Sequence, residues 1–219
     1  MATQFDDPFG GQVRTLGVNA RSRAALMEAA VKLFARDGFQ GVSIDGIVEA
    51  AGVDGEAFRL HFRNRDEIAA AVAFGIAAQV ALQLAQSMVE VEDAVERVSL
   101  GTRRFVDLVC SHPDWGAALA RAVETFRDLH EGVSGFARAD IQRGVDQGAF
   151  TVKVNDVLVE TFTTMVLNAV TGRLRGDYPR EAGSQVAELQ LRMLGVDPDR
   201  AAEMAWREIP ALGLETPFA

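Results

Sequence analysis

Apolar residues recur along this chain at intervals of three and four almost without interruption, and no segment alternates with the period of two that a half-buried strand requires. Leu26, Ala29, Ala30, Leu33 and Phe34 fall on one face of a first helix. Asp37-Gly38-Phe39 ends it, with Gly38 free to take a positive φ. Ser43 then stands as N-cap of a short helix over 44–50, whose Ile44, Ile47 and Val48 point inward. Gly52 supplies a tight turn, and Asp54 caps a third helix over 55–61. Asn64-Arg65-Asp66-Glu67 has the form of a capping box in which Asn64 and Glu67 each satisfy the other's backbone N–H. It opens a long Ala-rich fourth helix reaching about residue 88.

Further helices follow at ordinary lengths. One over 91–111 is broken by His112-Pro113, and Asp114 caps the next, which runs to about residue 129. Others are expected over 132–147, 156–175 (capped by Asn155 or Asp156), 179–194 and 198–208, the last two opening on proline. The expectation is an all-α fold of nine or ten helices, without repeats or low-complexity runs. Residues 1–19 read as a mobile tail, 20–68 as a three-helix head and 69–219 as a helical body. The boundary falls inside the fourth helix, so head and body should be coupled rigidly rather than by a linker.

The second and third helices have the spacing of a helix-turn-helix, which presents one helix to the major groove of DNA. Composition leaves that reading standing without strengthening it. The chain is 48% hydrophobic and 24% charged, with a net charge of -9 that argues against indiscriminate nucleic-acid binding. Residues 1–70 carry eight Lys/Arg against ten Asp/Glu, whereas 71–219 carry 14 against 21, so the acid sits mainly in the body. The single Cys110 permits no internal disulfide and suits a reducing cytoplasm. The N-terminus lacks the order of a signal peptide, and no uninterrupted apolar run approaches the roughly 18–20 residues of a membrane span.

Enzymatic chemistry finds no foothold. There is no glycine-rich phosphate loop, nucleophile elbow or metal-ligand cluster, and neighbouring acids such as Glu92-Asp93 read as solvated helix starts. Cys110 and His112 are too few and too ill-spaced for zinc, and no cofactor is expected.

Taken together, Ala29-Ala30, Leu33-Phe34, Gly38-Phe39, Val42-Ser43-Ile44, Ile47, Ala50-Ala51-Gly52-Val53, His61-Phe62 and Asn64-Arg65-Asp66-Glu67-Ile68 resemble the N-terminal region of the tetracycline-repressor (TetR) family of transcriptional regulators. Asp146-Gln147-Gly148-Ala149-Phe150 resembles the turn that precedes the dimerising helices of many such proteins. The resemblance implies a homodimer with two DNA-binding heads and a ligand-binding body. It places Ser43, Asp54, Gly55, Glu56, Arg59, His61 and Arg65 at the DNA, with Ser43 and Arg65 as phosphate partners. Helix 3 departs from the family pattern, holding Glu56, Ala57 and Arg59 where a Gly-Thr pair and a tyrosine are usual. Two hydroxyl contacts to phosphate are thereby lost. Arg59 offers either a charge-assisted replacement or a guanine contact, and the acids repel phosphate unless paired with Arg59 or Arg63 or engaged with cytosine amino groups. DNA binding narrower or weaker than the family norm is expected.

In the body, Phe74, Phe105, Trp115, Phe126, Phe136, Phe162 and Met165 are candidates to line an apolar cavity, with His112, Arg121 and Asn168 as polar anchors. Residue by residue, a core position is the commoner meaning of such side chains, and His112 before Pro113 reads more readily as a helix-end residue. His130 is expected near the end of its helix, favoured there by the dipole. The stripes Val159, Phe162, Thr163, Val166, Val170, Arg173 and Val186, Leu189, Gln190, Met193, Leu194 are candidates for a four-helix dimer interface. The expected function is a ligand-responsive repressor on a near-palindromic operator, its effector small and largely apolar. The alternative is the same fold with weakened DNA binding, acting through a protein or a small molecule.

Overall fold

The computed structural model describes residues 18–209, and among these ten helices and no strand are formed. They are α1 (Val18–Gly41), α2 (Ile44–Ala51), α3 (Gly55–His61), α4 (Arg65–Ser87), α5 (Ala94–Ser111), α6 (Pro113–Thr125), α7 (Arg127–Asp146), α8 (Asp156–Arg175), α9 (Ala182–Met193) and α10 (Pro198–Trp206). Residues 1–17 of the expected tail lie outside the described residues, while Val18 and Asn19 already belong to α1.

Short polar side chains set the helix starts. Ser43, Asp54, Asn64, Asp93 and Asn155 each accept a hydrogen bond from a backbone N–H of the first turn they precede. The box at α4 closes differently from the expected form. Asn64 accepts from the Glu67 N–H at 2.9 Å, but the Glu67 carboxylate reaches the N–H of Arg63 at 2.7 Å, one residue earlier. Gly52 ends α2 in the left-handed conformation, and Gly38 puts a kink into α1 at φ 73, ψ 166.

Packing corrects several expected boundaries, and α9 starts at Ala182 rather than on Pro179. Helix α6 starts at Pro113, so Asp114 lies inside it and the N-cap position belongs to His112. The break after α6 comes at Phe126, whose extended φ/ψ of -104, 110 and partly buried ring anchor the chain in the core. Gly132 and Gly135, expected at or near a helix start, lie within α7, and His130 sits in its first turns, bonded to Glu160 at 2.8 Å.

Helix α1 packs on α2, α3 and α4 within the head and also runs along α6 of the body. One continuous apolar cluster joins Leu26 and Phe34 of α1, Ile47, Phe58, Val72 and Ile76 to Trp115 and Leu119 of α6. A second cluster, with Val95, Val98, Ile141, Phe150, Phe162 and Leu191, holds together α5, α7, α8 and α9 at the far end of the body. Helix α5 is the hub, touching α4 and every helix from α6 to α10. Helix α4 has a mean hydropathy of 1.9 over an 18-residue window, enough by length and composition for a membrane span. Gln79 and Gln83 interrupt its apolar run, and Ile68, Val72, Ile76 and Val80 are buried against neighbouring helices, so its apolarity serves the core.

Candidate functional site

The surface of the head is set by which side of α3 the core claims. Phe58 and Phe62 are buried at 2% and 3% exposure, with ring centroids 5.8 Å apart, and they fix the helix against α1. The opposite face turns outward with Glu56, Arg59 and Leu60. Ser43 and Asp54 are exposed but committed as caps, their oxygens 3.1 Å and 2.8 Å from the N–H groups of Gly46 and Ala57. Gly55 begins α3, and a Cβ there would meet the Arg59 guanidinium at 3.4 Å, so Arg59 folds back along the helix toward its start.

The expected pairing of Glu56 with Arg59 or Arg63 does not form: Arg63 lies 3.9 Å from Glu67, and among the described residues Arg59 and Glu56 make no ion pair. Arg65 is half-buried and lies 3.2 Å from Asp66. His61 is half-buried. Its Nε2 lies 2.8 Å from the Ser22 hydroxyl, so the ring braces α3 on α1. Beside it the Arg23 guanidinium lies 5.3 Å from the centroid of the Phe62 ring, a cation over an aromatic face. Leu60, 62% exposed, escaped the sequence reading because an isolated apolar residue in a short helix passes for core.

The body does not gather its candidate residues into one place. Trp115 is buried at 2% and stacks on His112, ring centroids 5.0 Å apart. His112 ends α5 with its Nδ1 3.0 Å from the Leu108 carbonyl oxygen, the helix-end role. Phe105 and Phe126 pack partly buried on the larger core cluster, and Phe162 belongs to the separate smaller one. Met165 is half-buried. Phe74 and Phe136 are 44% and 65% exposed. Arg121 faces the head: its Nη1 is 2.8 Å from where a Cβ would stand on Gly38. Asn168 sits on the outer side of α8, its Oδ1 3.4 Å from the Tyr178 hydroxyl. A surface concavity of about 580 Å³ opens between α8 and α9, lined by Asn155, Asp156, Val157, Leu158, Thr161 and Met193, and includes none of the expected ligand residues.

Buried polar groups near α5 are structural. Gln190 is fully buried, accepting from the Thr102 hydroxyl at 2.6 Å and donating to the Phe162 carbonyl at 3.0 Å. Arg104 donates to the Ser87 carbonyl and Arg103 to the Arg207 carbonyl, both at 2.6 Å, closing the ends of α4 and α10. Burial pulls both guanidinium groups below their ordinary value. Burial pushes the Cys110 thiol up, with Arg173 opposing in part.

The first expected dimer stripe is also a correction. Val159, Phe162, Thr163, Val166 and Val170 are buried inside the protomer, and Arg173 pairs with Asp107 at 2.6 Å. In the second stripe Gln190 and Leu194 are fully buried, whereas Leu189 is 54% exposed. The face that α8 turns outward is Val157, Thr161, Thr164 and Asn168, one helical stripe.

Comparison with known proteins accords with this architecture. Residues 26–72 match the bacterial regulatory proteins of the tetR family, and residues 93–207 match the tetracyclin repressor-like C-terminal domain. The solved structure of RolR without ligand is 26% identical, with 86% of this chain and 98% of that one covered and a TM-score of 0.69. RolR in complex with its ligand resorcinol is 24% identical over 88% of this chain and 97% of that one, at a TM-score of 0.65. A gamma-butyrolactone receptor (ArpA-like protein) is 17% identical over 86% and 96%, also at 0.65. A TetR-family transcriptional regulator from Agrobacterium tumefaciens is 14% identical over 80% and 98%, at 0.66. No curated protein matches the chain significantly. The two family matches follow the head and the body described above, the second alone spanning more than half of the sequence, and the chain belongs to the TetR family of bacterial transcriptional regulators.

Proposed function

We propose that this regulator is a ligand-responsive repressor that occupies a near-palindromic operator as a homodimer in the cytoplasm, with no enzymatic activity of its own. The observation that carries this reading is the packing of α1 along α6, which ties the head to the body through one apolar cluster. Two reading helices must meet half-sites about one DNA turn apart, roughly 34–36 Å, so a small rotation of each head on its body abolishes binding. A ligand acts through its differential affinity for the two arrangements. RolR binds resorcinol and the ArpA-like protein is a gamma-butyrolactone receptor, which supports a small, largely apolar effector here. Phe105, Trp115 and Phe126, which share the larger apolar cluster, are the residues suited to line its site, which opens as the helices of the body part.

Dimerisation is assigned to the outer faces of α8 and α9 and the turn between them, where Val157, Leu189 and Tyr178 expose apolar surface at 76%, 54% and 43%. On the DNA side, Ser43 and Arg65 flank α3 as phosphate partners, with Gly55 and the Asp54 cap forming its entry. The test is a reporter in which an operator obtained by selection overlaps a promoter, combined with light scattering of the purified protein and its complex. Repression with two protomers per duplex, relieved by a small aromatic or lactone effector, supports the reading. A monomer that binds DNA, or binding that activates the reporter, overturns it.

A further inference from the structure

The outward face of α3 carries three different chemistries on one stripe. Glu56, Arg59 and Leu60 stand at i, i+3 and i+4, all exposed, opposite the buried Phe58 and Phe62. Leu60 is 62% exposed, an apolar group presented to water by a helix whose other face has already satisfied the core. Glu56 and Arg59 make no ion pair among the described residues, although i and i+3 are within reach of each other on a helix. Asp54 differs, because its carboxylate is occupied by the Ala57 N–H at 2.8 Å. The stripe therefore holds one uncommitted acceptor, one uncommitted forked donor and one methyl-bearing surface.

We infer that α3 reads base edges through these three residues and that each operator half-site contains a cytosine read by Glu56, a guanine read by Arg59 and a thymine whose methyl meets Leu60. The inference deepens the operator-binding reading above and rests on it. A carboxylate in the major groove needs an amino donor, and only cytosine and adenine supply one. Adenine sets its N7 acceptor beside that donor, which repels a carboxylate, whereas cytosine does not. Guanine offers two acceptors, O6 and N7, in the spacing of a guanidinium fork. The only methyl in the groove is that of thymine. Along the helix axis, residues three and four apart are separated by roughly 4.5–6 Å at 1.5 Å per residue. That spans one to two base-pair steps at roughly 3.4 Å each, so the three contacts fall on neighbouring base pairs. The Arg59 side chain is exposed and makes no ion pair among the described residues, so no charge partner has to be broken for its guanidinium to reach a base.

The experiment is enrichment from a random duplex pool at low salt, run in parallel with the full-length wild-type protein and with Glu56→Gln, Arg59→Ala and Leu60→Ala. All three positions are exposed, and circular dichroism melts establish that each variant is folded. The wild type should enrich a palindrome with cytosine, guanine and thymine at neighbouring positions of each half. Glu56→Gln should shift the cytosine position toward adenine, since a glutamine amide matches adenine N6 and N7. Arg59→Ala should lower discrimination at the guanine position by roughly 5- to 150-fold, the range for one bidentate pair. Replacing thymine by deoxyuridine should weaken wild-type binding and leave Leu60→Ala unaffected. A palindrome whose base preferences are the same in all four proteins overturns the inference while leaving the operator-binding regulator intact. No enriched sequence with any of them overturns both.

Discussion

Gly38 is where α1 kinks, and its backbone at φ 73, ψ 166 occupies a region open in practice to glycine alone. A methyl there would also press on the Arg121 guanidinium. Gly38→Ala is expected to cost about 1–3 kcal/mol, read as a lowered midpoint in urea unfolding. An unchanged midpoint would mean that the kink relaxes without strain. Cys110 gives a second test at this scale. Burial raises its pKa, so at any given pH less thiolate is present than in the unfolded chain. Alkylation by iodoacetamide at mildly alkaline pH should be markedly slower in the native protein than in denaturant, and equal rates would contradict the burial. Residue identities were legible in sequence where the partner is local. Ser43, Asp54 and Asn64 cap helices because their acceptors lie three residues from the donors they meet. The role of His61 was not legible, since its partner Ser22 is 39 residues away.

At the scale of elements, α7 meets the following turn without room for a side chain: a Cβ on Gly144 would collide with the ring of Phe150, which is buried at 3%. Gly144→Ala should destabilise by about 1–3 kcal/mol through overpacking, measured by chemical denaturation, and a neutral result would show that Phe150 has an alternative seat. Helix α5 is fixed to α9 by Gln190, whose amide accepts from Thr102 and donates to the Phe162 carbonyl. Gln190→Ala leaves a cavity and two unpaired groups, for an expected loss of about 2–5 kcal/mol. Helix existence was readable from the three-four spacing of apolar residues, and α3 and α8 have the bounds expected for them. The junction of α6 and α7 was not. Glycines at 132 and 135 carry the local signal for a break, but the anchoring of Phe126 and Leu129 in the core outweighs the modest cost of glycine within a helix.

The whole molecule is acidic, and α3 holds Ala57 and Arg59 where the family pattern has the hydroxyls of threonine and tyrosine. Fewer phosphate contacts release fewer counterions, so operator affinity should fall less steeply with salt than the slope of roughly 5–9 that about 6–10 phosphate contacts give. A titration of binding against salt concentration measures this, and a slope in that range would contradict the view that base edges carry the recognition. Assembly is testable separately. Introducing Asp at both Val157 and Leu189, on the outer faces of α8 and α9, should give a folded monomer with strongly reduced operator binding. Retention of the dimer in light scattering would move the interface elsewhere. Both residues are exposed, so the helical content of the protomer should be unchanged.

The amino-acid sequence alone determined the all-helical class, the three-helix head and the caps that start its helices, because periodicity and capping depend on residues within one or two turns of each other. It also determined the chemistry offered by helix 3, since Glu56 and Arg59 are visible as departures from a family pattern. Only the tertiary structure decided which face of each helix is outward. Sequence marked Val159, Phe162 and Val166 as an apolar stripe, but whether such a stripe meets its own core or a second protomer depends on helices distant in sequence, here chiefly α5. The same holds for Leu60, which is exposed because Phe58 and Phe62 occupy the space beneath α3. It holds too for Arg121, turned toward the head because α6 lies along α1. Local spacing sets an element; competition among elements for a finite core sets what remains outside to act.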